Sequence, residues 1–192
     1  MPADVKEPET DAALVDRMAA GDERALAEIV RRHGPRLRAI LCRFTGGPVA
    51  ADDILQETFI RAWRGAARWR ADGPPYAAYL TRVAVNRAID GERRSRLRRF
   101  FGIAEAEDVA DPALSAEGTL AARDEIASVA ADIRALPARQ RAAILLAAGG
   151  EHSTAEIAAM MGLSAGAAEQ LLVRARKTLR AGLRRRAGKE VR

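Results

Sequence analysis

Apolar positions recur at helical spacing through most of the chain. In the stretch Asp52 to Trp63, extended to Ala66, the residues Leu55, Phe59, Ala62 and Ala66 fall at i, i+4, i+7 and i+11. That spacing stacks them on one face of a helix and leaves Gln56, Glu57 and Arg61 pointing outward. Pro48 suits the start of this helix, which is expected to end near Trp69. Asp52 and Asp53 are expected in its first turn, where carboxylates favour the positive end of the helix dipole, with Arg61, Arg64 and Arg68 toward the other end. Upstream, Leu14, Val15 and Met18 form one apolar group. After a break at Gly21-Asp22, with Asp22 as N-cap, Leu26, Ile29 and Val30 form another. A further helix is predicted from about Pro35 to Phe44, followed by the turn Thr45-Gly46-Gly47-Pro48.

Ala71-Asp72-Gly73-Pro74-Pro75 breaks the pattern, and a helix from Pro75 or Tyr76 to beyond Arg94 follows, with Tyr76, Leu80, Val83 and Ala84 on its core face. Residues 100–124 lose the periodicity and read as a linker. From about Glu125 it returns: Ile126, Val129, Ala130 and Ile133 in one helix, Ala142, Ile144, Leu145 and Leu146 in the next, which Gly149-Gly150 ends. Ser153-Thr154-Ala155-Glu156 is a capping-box pattern opening a short helix to Met161. Gly162-Leu163-Ser164 is a tight turn, and a last helix buries Ala168, Leu172, Ala175 and Leu179 while showing Gly166, Ala167, Gln170, Arg174 and Lys177.

Composition fits this picture. Of 192 residues, 48% are hydrophobic but only 4% aromatic, and Ala, the best helix former and a poor strand former, dominates the apolar set. An all-α protein with Ala- and Leu-lined cores is expected, organised as two small helical domains: a tail at 1–10, a first domain at 11–99, a linker at 100–124, a second domain at 125–187 and a basic tail at 188–192. One cysteine, Cys42, excludes an intramolecular disulfide and a multi-cysteine metal site, and its apolar neighbours make it a buried small residue. With no signal-peptide pattern and no apolar run of membrane-spanning length, a cytoplasmic protein without membrane insertion of its own is expected.

The charge is segregated. The net charge is +6, with eleven Arg against three acids between Arg61 and Arg99, and nine Lys or Arg against one acid between Arg174 and Arg192. Between Phe101 and Asp132 the sign reverses to eight acids against one base. Two basic regions flanking an acidic spacer suit two contacts with a polyanion. Tyr79, Arg82, Asn86 and Arg93 lie at i, i+3, i+7 and i+14 on a second face of their helix. Cations for phosphate, a ring for stacking and an amide for a base edge are the chemistry of a single-strand nucleic-acid surface; a wet helix face with an incidental Tyr fits the same spacing. The capped short helix, glycine turn and longer basic helix match a helix-turn-helix. No catalytic residues, metal site or cofactor are expected: His33 and His152 lack a ligand pattern, read as surface or loop residues, and no phosphate loop or nucleophile motif occurs.

With these segments in order, the chain resembles bacterial sigma factors of the extracytoplasmic-function type over nearly all of residues 11–187. Ala20 to Leu26 resembles the opening helices of the family's first conserved domain, sigma region 2. Asp52 to Trp63 resembles its principal polymerase-binding helix, and Tyr79 to Asp90 the segment that melts and reads the minus-ten promoter element. Leu136 to Arg141, Thr154 to Ala159, Gly162-Leu163-Ser164 and Arg174 to Lys177 resemble the second domain, region 4, which reads the minus-thirty-five element. The resemblance implies core RNA polymerase (β′ clamp and β flap), promoter DNA and an anti-sigma factor as partners. It implies a polymerase-docking face of Asp52, Asp53, Ile54, Gln56, Glu57, Phe59, Ile60 and Trp63, where Phe59 and Trp63 fit either the interface or the core. For minus-ten contacts it implies Arg68, Trp69, Arg70, Tyr79, Arg82, Asn86, Arg87, Arg93 and Arg94. For the upstream element it implies Thr154, Ser164, Gly166, Ala167, Glu169, Gln170, Arg174, Arg176 and Lys177.

The chain departs from the family in two places. The recognition helix carries Ala167-Ala168-Glu169-Gln170-Leu171 where many relatives carry a Thr-Val-basic-Ser-Arg run, so it offers a methyl, a carboxylate and an amide to base edges. Gly73-Pro74-Pro75 stiffens the loop that cradles a flipped base in the family. The alternative reading is a helix-turn-helix regulator that acts without polymerase. The acidic linker suits either the polymerase's RNA-exit channel or an inhibitor contact.

Overall fold

A computed structural model describes residues 9–101, 120–148 and 152–190. Eight helices run in order: α1 (Asp11–Ala19), α2 (Glu23–Thr45), α3 (Pro48–Gly65), α4 (Tyr76–Phe100), α5 (Leu120–Ala135), α6 (Ala138–Ala147), α7 (Thr154–Met161) and α8 (Ala165–Glu190), with a 3₁₀ turn (Ala66–Arg68) continuing α3. No strand occurs among the described residues. Of the linker expected at 100–124, residues 102–119 lie outside them, as do the Gly149-Gly150 break and residues 191–192.

Helices α1 to α4 form one unit and α6 to α8 another. In the first, α2 packs on α1, α3 and α4. Alanines permit this closeness: Ala25, Ala51, Ala62, Ala66, Ala84 and Ala88 are all at most 3% exposed, between Ile29, Leu41, Leu80 and Tyr76. Small side chains at helix contacts let the backbones approach closely enough for the larger residues to interdigitate at interior density. In the second unit Ala143, Ile157, Ala168, Leu172 and Ala175 fill the same role. Side-chain caps fix several helix starts. Thr10 Oγ1 accepts from Ala13 N at 3.3 Å, and Asp22 Oδ1 accepts from Arg24 N at 2.9 Å. Ser153 and Glu156 make both bonds of a capping box, and Ser164 Oγ accepts from Ala167 N at 3.3 Å. Gly162 sits at φ +64, the left-handed geometry that ends α7 and that L side chains rarely adopt.

Several expectations are corrected here. Residues 22–30 and 35–44 form a single helix, because Ala25, Ile29, Leu37, Leu41 and Phe44 stay in phase across Pro35, which lies inside α2 with an exposed side. Pro35 sacrifices one intrahelical hydrogen bond, and the continuous apolar face offsets that loss. Residues 9 and 10 belong to the folded unit: Glu9 pairs with Arg17 at 2.6 Å and Thr10 caps α1. Helix α3 starts at Pro48, so its first turn holds no acid and Asp52 and Asp53 fall one turn later. Asp52 instead bonds Arg38 of α2 at 2.7 Å. Helix α5 begins at Leu120, ahead of the expected Glu125, and α8 continues to Glu190. Cys42 is half-buried in α2, as is Val83, which was expected on the core face of α4. His33 is half-buried within α2, 2.7 Å from Asp11.

Candidate nucleic-acid and polymerase interfaces

The end of α3, the loop after it and the exposed side of α4 enclose a pocket of about 810 Å³. Seven of the nine minus-ten candidates line it: Arg68, Trp69, Arg70, Tyr79, Arg82, Asn86 and Arg87. Arg93 and Arg94 lie farther along α4, exposed and outside it. Its chemistry is uneven. Six arginines, including Arg61 and Arg64 of α3, face one acid, Asp90. Aromatic rings form an ordered stack behind them: Tyr76 is buried, Tyr79 lies 5.5 Å from it at 23°, and Trp69 meets Tyr76 edge-on at 5.2 Å. Tyr76 is thus a fixed base on which the half-buried Tyr79 is held. Its hydroxyl is pushed above the ordinary tyrosine pKa, by burial first, so it stays neutral. A concave site with a rigid ring and surrounding guanidinium groups can hold an unstacked base and its flanking phosphates.

Among the lining residues that escaped the sequence reading, Gly65, Arg64 and Ala159 differ in the signal they left. Gly65 closes α3 where a Cβ would stand 3.1 Å from the Tyr79 hydroxyl oxygen, so glycine leaves that ring its place. Arg64 was visible as part of an Arg61-Arg64-Arg68 stripe on one helix face, which had been ascribed to the helix dipole. Ala159 belongs to α7, in the other unit, and no local signal could have placed it at the pocket.

The outer side of α3 divides the docking candidates. Asp53, Gln56 and Ile60 are exposed, Ile60 at 41%, and Asp52 is exposed in its ion pair with Arg38. Ile54 and Trp63 are half-buried against the core. Phe59 is buried at 7% and belongs to the core, which settles its ambiguity and removes it from the docking face. Glu57 is likewise not free: it is half-buried between Arg87 of α4, to which it is hydrogen-bonded, and Arg61, 3.2 Å away. Burial pushes its carboxyl up, but the Arg87 hydrogen bond and the two positive charges outweigh burial and hold it below the ordinary value. Glu57 therefore fixes Arg87 at the pocket wall, and its turn of α3 faces α4, away from the outer face.

Helix α8 presents a different surface. Gly166, Glu169, Gln170, Arg174, Arg176 and Lys177 are exposed, and Ala167 is half-buried. Thr154 and Ser164 are exposed at the starts of α7 and at the turn, Ser164 engaged as a cap. This is the geometry of a helix free to enter a duplex groove, with its hydrophobic side closed on α6 and α7.

The residues 29–100 match the model of sigma-70 region 2 and residues 129–179 that of sigma-70 region 4. The RNA polymerase sigma factor CnrH of Cupriavidus metallidurans is 34% identical over 180 residues, covering 90% of this chain and 94% of that protein. The solved structure of CnrH in complex with the cytosolic domain of CnrY superposes with a TM-score of 0.64, covering 91% of this chain and 97% of that one at 31% identity. The extracytoplasmic-function sigma factor SigM of Mycobacterium tuberculosis is 30% identical over 170 residues, 88% of this chain and 83% of SigM. RpoE of Bartonella quintana, solved with the anti-sigma factor NepR, superposes at TM-score 0.66 with 25% identity, over 82% of this chain and 96% of that one. With both region models matched in order, and relatives aligned over nearly their full length, the chain belongs to the RNA polymerase sigma factors of the extracytoplasmic-function type.

Proposed function

We propose that the chain docks core RNA polymerase through the outer face of α3, captures the opened minus-ten strand in the α3–α4 pocket, and reads the upstream element through α8. The observation that carries this is the convergence of Arg68, Trp69, Arg70, Tyr79, Arg82, Asn86 and Arg87 on one concave, cationic, aromatic site. On α3, Asp53, Gln56 and Ile60 supply the docking face, with Asp52 and Trp63 at its edges. Such a protein carries no chemistry of its own, since nucleotide addition belongs to the polymerase, and works in the cytoplasm where the polymerase is. A regulator acting without polymerase would leave both the pocket and the α3 face without a role. Because RpoE was solved with an anti-sigma factor, we assign this chain an inhibitor of the same kind as partner. The working division keeps 11–99 and 125–187 as the two domains, extended by Glu9 and Thr10 at the start of the first and by α5 from Leu120 and α8 to Glu190 in the second.

Run-off transcription with core polymerase on genomic promoter fragments tests the assignment. The intact chain is expected to give discrete start sites that core alone does not. Asp53→Arg with Gln56→Arg is expected to abolish them while duplex binding persists. Initiation no better than core alone, or a double variant that still binds polymerase, would sink the reading.

A further inference from the structure

Helix α8 carries an apolar side chain where folding has no use for one. Its buried side is Ala168, Leu172 and Ala175, closed on α6 and α7. Val173 stands off that side and is 52% exposed. A single exposed aliphatic is ordinary on a surface, but a β-branched one in mid-helix forfeits helix propensity that Ala or Lys would supply. The neighbours of Val173 give its place a meaning. Gly166, Gln170, Val173 and Lys177 fall at i, i+4, i+7 and i+11, one stripe along the outer face. The other three are exposed as well. Leu183, also exposed, falls off that stripe. Space in front of the first turn is open: a Cβ on Gly166 would meet nothing within 4 Å. The stripe thus runs from a residue without a side chain, through an amide and a short branched aliphatic, to a cation. Arg174 and Arg176, both exposed, flank it on either side.

That order matches a major groove from floor to wall. With no side chain at Gly166 and a methyl at Ala167, the helix axis can approach the base edges closely, and the arginines reach the phosphates on either rim. Gln170 offers its amide to adenine N6 and N7. Three residues of helix advance about 4.5 Å, against about 3.4 Å for one base-pair step, so Val173 addresses the pair beside it. The one apolar group on the base edges of that groove is the C5-methyl of thymine. Resting on the reading of α8 as the duplex-binding helix, we propose that Val173 is a specificity-determining residue: its methyls pack on the C5-methyl of a thymine next to the base pair that Gln170 addresses. Discrimination comes from both sides. Thymine buries apolar surface against Val173, whereas any other base sets a polar edge against it with no partner.

The test uses holoenzyme assembled from core polymerase and the full chain. It is offered a promoter fragment that supports a discrete start site, with the upstream element randomised. The selected duplexes are expected to carry one fixed thymine. Deoxyuridine in its place deletes only the methyl and is expected to weaken binding about three- to fivefold, the worth of one buried methyl. Val173→Ala, a change at an exposed position that favours the helix, should bind the thymine duplex more weakly by a similar factor and lose nothing further with uracil. Cytosine at that position should be partly rescued by 5-methylcytosine with the native chain and not with Val173→Ala. A uracil penalty equal in the two chains, or no fixed thymine among the selected duplexes, overturns the role of Val173. A selection that fixes no upstream base at all, with Lys177→Ala binding as well as the native chain, overturns the reading of α8 itself.

Discussion

The α3–α4 pocket and the outer face of α8, the two surfaces proposed to meet nucleic acid, are built on opposite plans. The pocket is concave, its Tyr79 ring is held on a buried ring behind it, and its cations come from two helices and a loop. The α8 face is convex, exposed and cut from one helix, and its first turn offers small and acidic or amide groups, with the cations set back at Arg174, Arg176 and Lys177. A duplex brings its own rigid shape and asks only for a helix that fits the groove. An opened strand has no shape, so the protein must supply it. The buried aromatic structure lies on the side where the proposed function has DNA unstacked.

That contrast can be broken at three depths. The deepest is Tyr76→Ala, which removes the buried ring that supports Tyr79. It is expected to cost about 3–5 kcal/mol of unfolding free energy, as for other buried aromatic truncations, and to abolish strand binding. Denaturant unfolding checks it. A loss below about 1 kcal/mol would mean that the ring is not the foundation of the site. Next, Tyr79→Ala and Gln170→Ala should separate the two surfaces. The first should cost about 1–3 kcal/mol in binding an opened strand and little on duplex DNA. The second should relax preference at one upstream base pair by about 1–3 kcal/mol and leave strand binding alone. Fluorescence anisotropy on both substrates reads the pair, and equal losses on both would show a single shared surface.

The smallest effect concerns the Glu57–Arg87 pair behind the pocket wall. The Glu57 carboxyl lies below its ordinary value of 4.5 in the folded chain. Its contribution is therefore complete above that value and lost as the pH falls through the lowered one. Because the pair is partly solvated, the loss should be under about 1 kcal/mol. Unfolding curves from about pH 6 down to about pH 3 should fall more steeply for the native chain than for Glu57→Gln. Parallel curves would show that the pair contributes nothing to holding Arg87.

Much of the fold was legible because helices of this kind are specified locally. Leu14, Leu80, Leu172 and their neighbours declare their faces by spacing, and Asp22, Ser153 and Ser164 declare helix starts by the chemistry of their side chains. The Tyr79–Arg82–Asn86 stripe was readable for the same reason, since three residues on one helix keep their relation wherever the helix goes. Failures came where a local signal had to yield to packing. Pro35 looked like a start until the apolar stripe on both sides held α2 together. Glu57 looked outward until Arg87, thirty residues on, turned out to face it.

By itself the sequence determined the helical segments, apart from the continuity of α2 across Pro35, together with two basic surfaces and the order of motifs that marks the family, because each depends on residues near one another along the chain. Only the tertiary structure decided that Phe59 is core and that Tyr79 stands on Tyr76 beside Gly65. It alone seated α7 against the pocket, with Arg141 bonded to Phe44 and Glu92. Those outcomes depend on which helix faces lie against each other, and that is set by the fit of side chains across helices, which no periodicity along a single helix encodes.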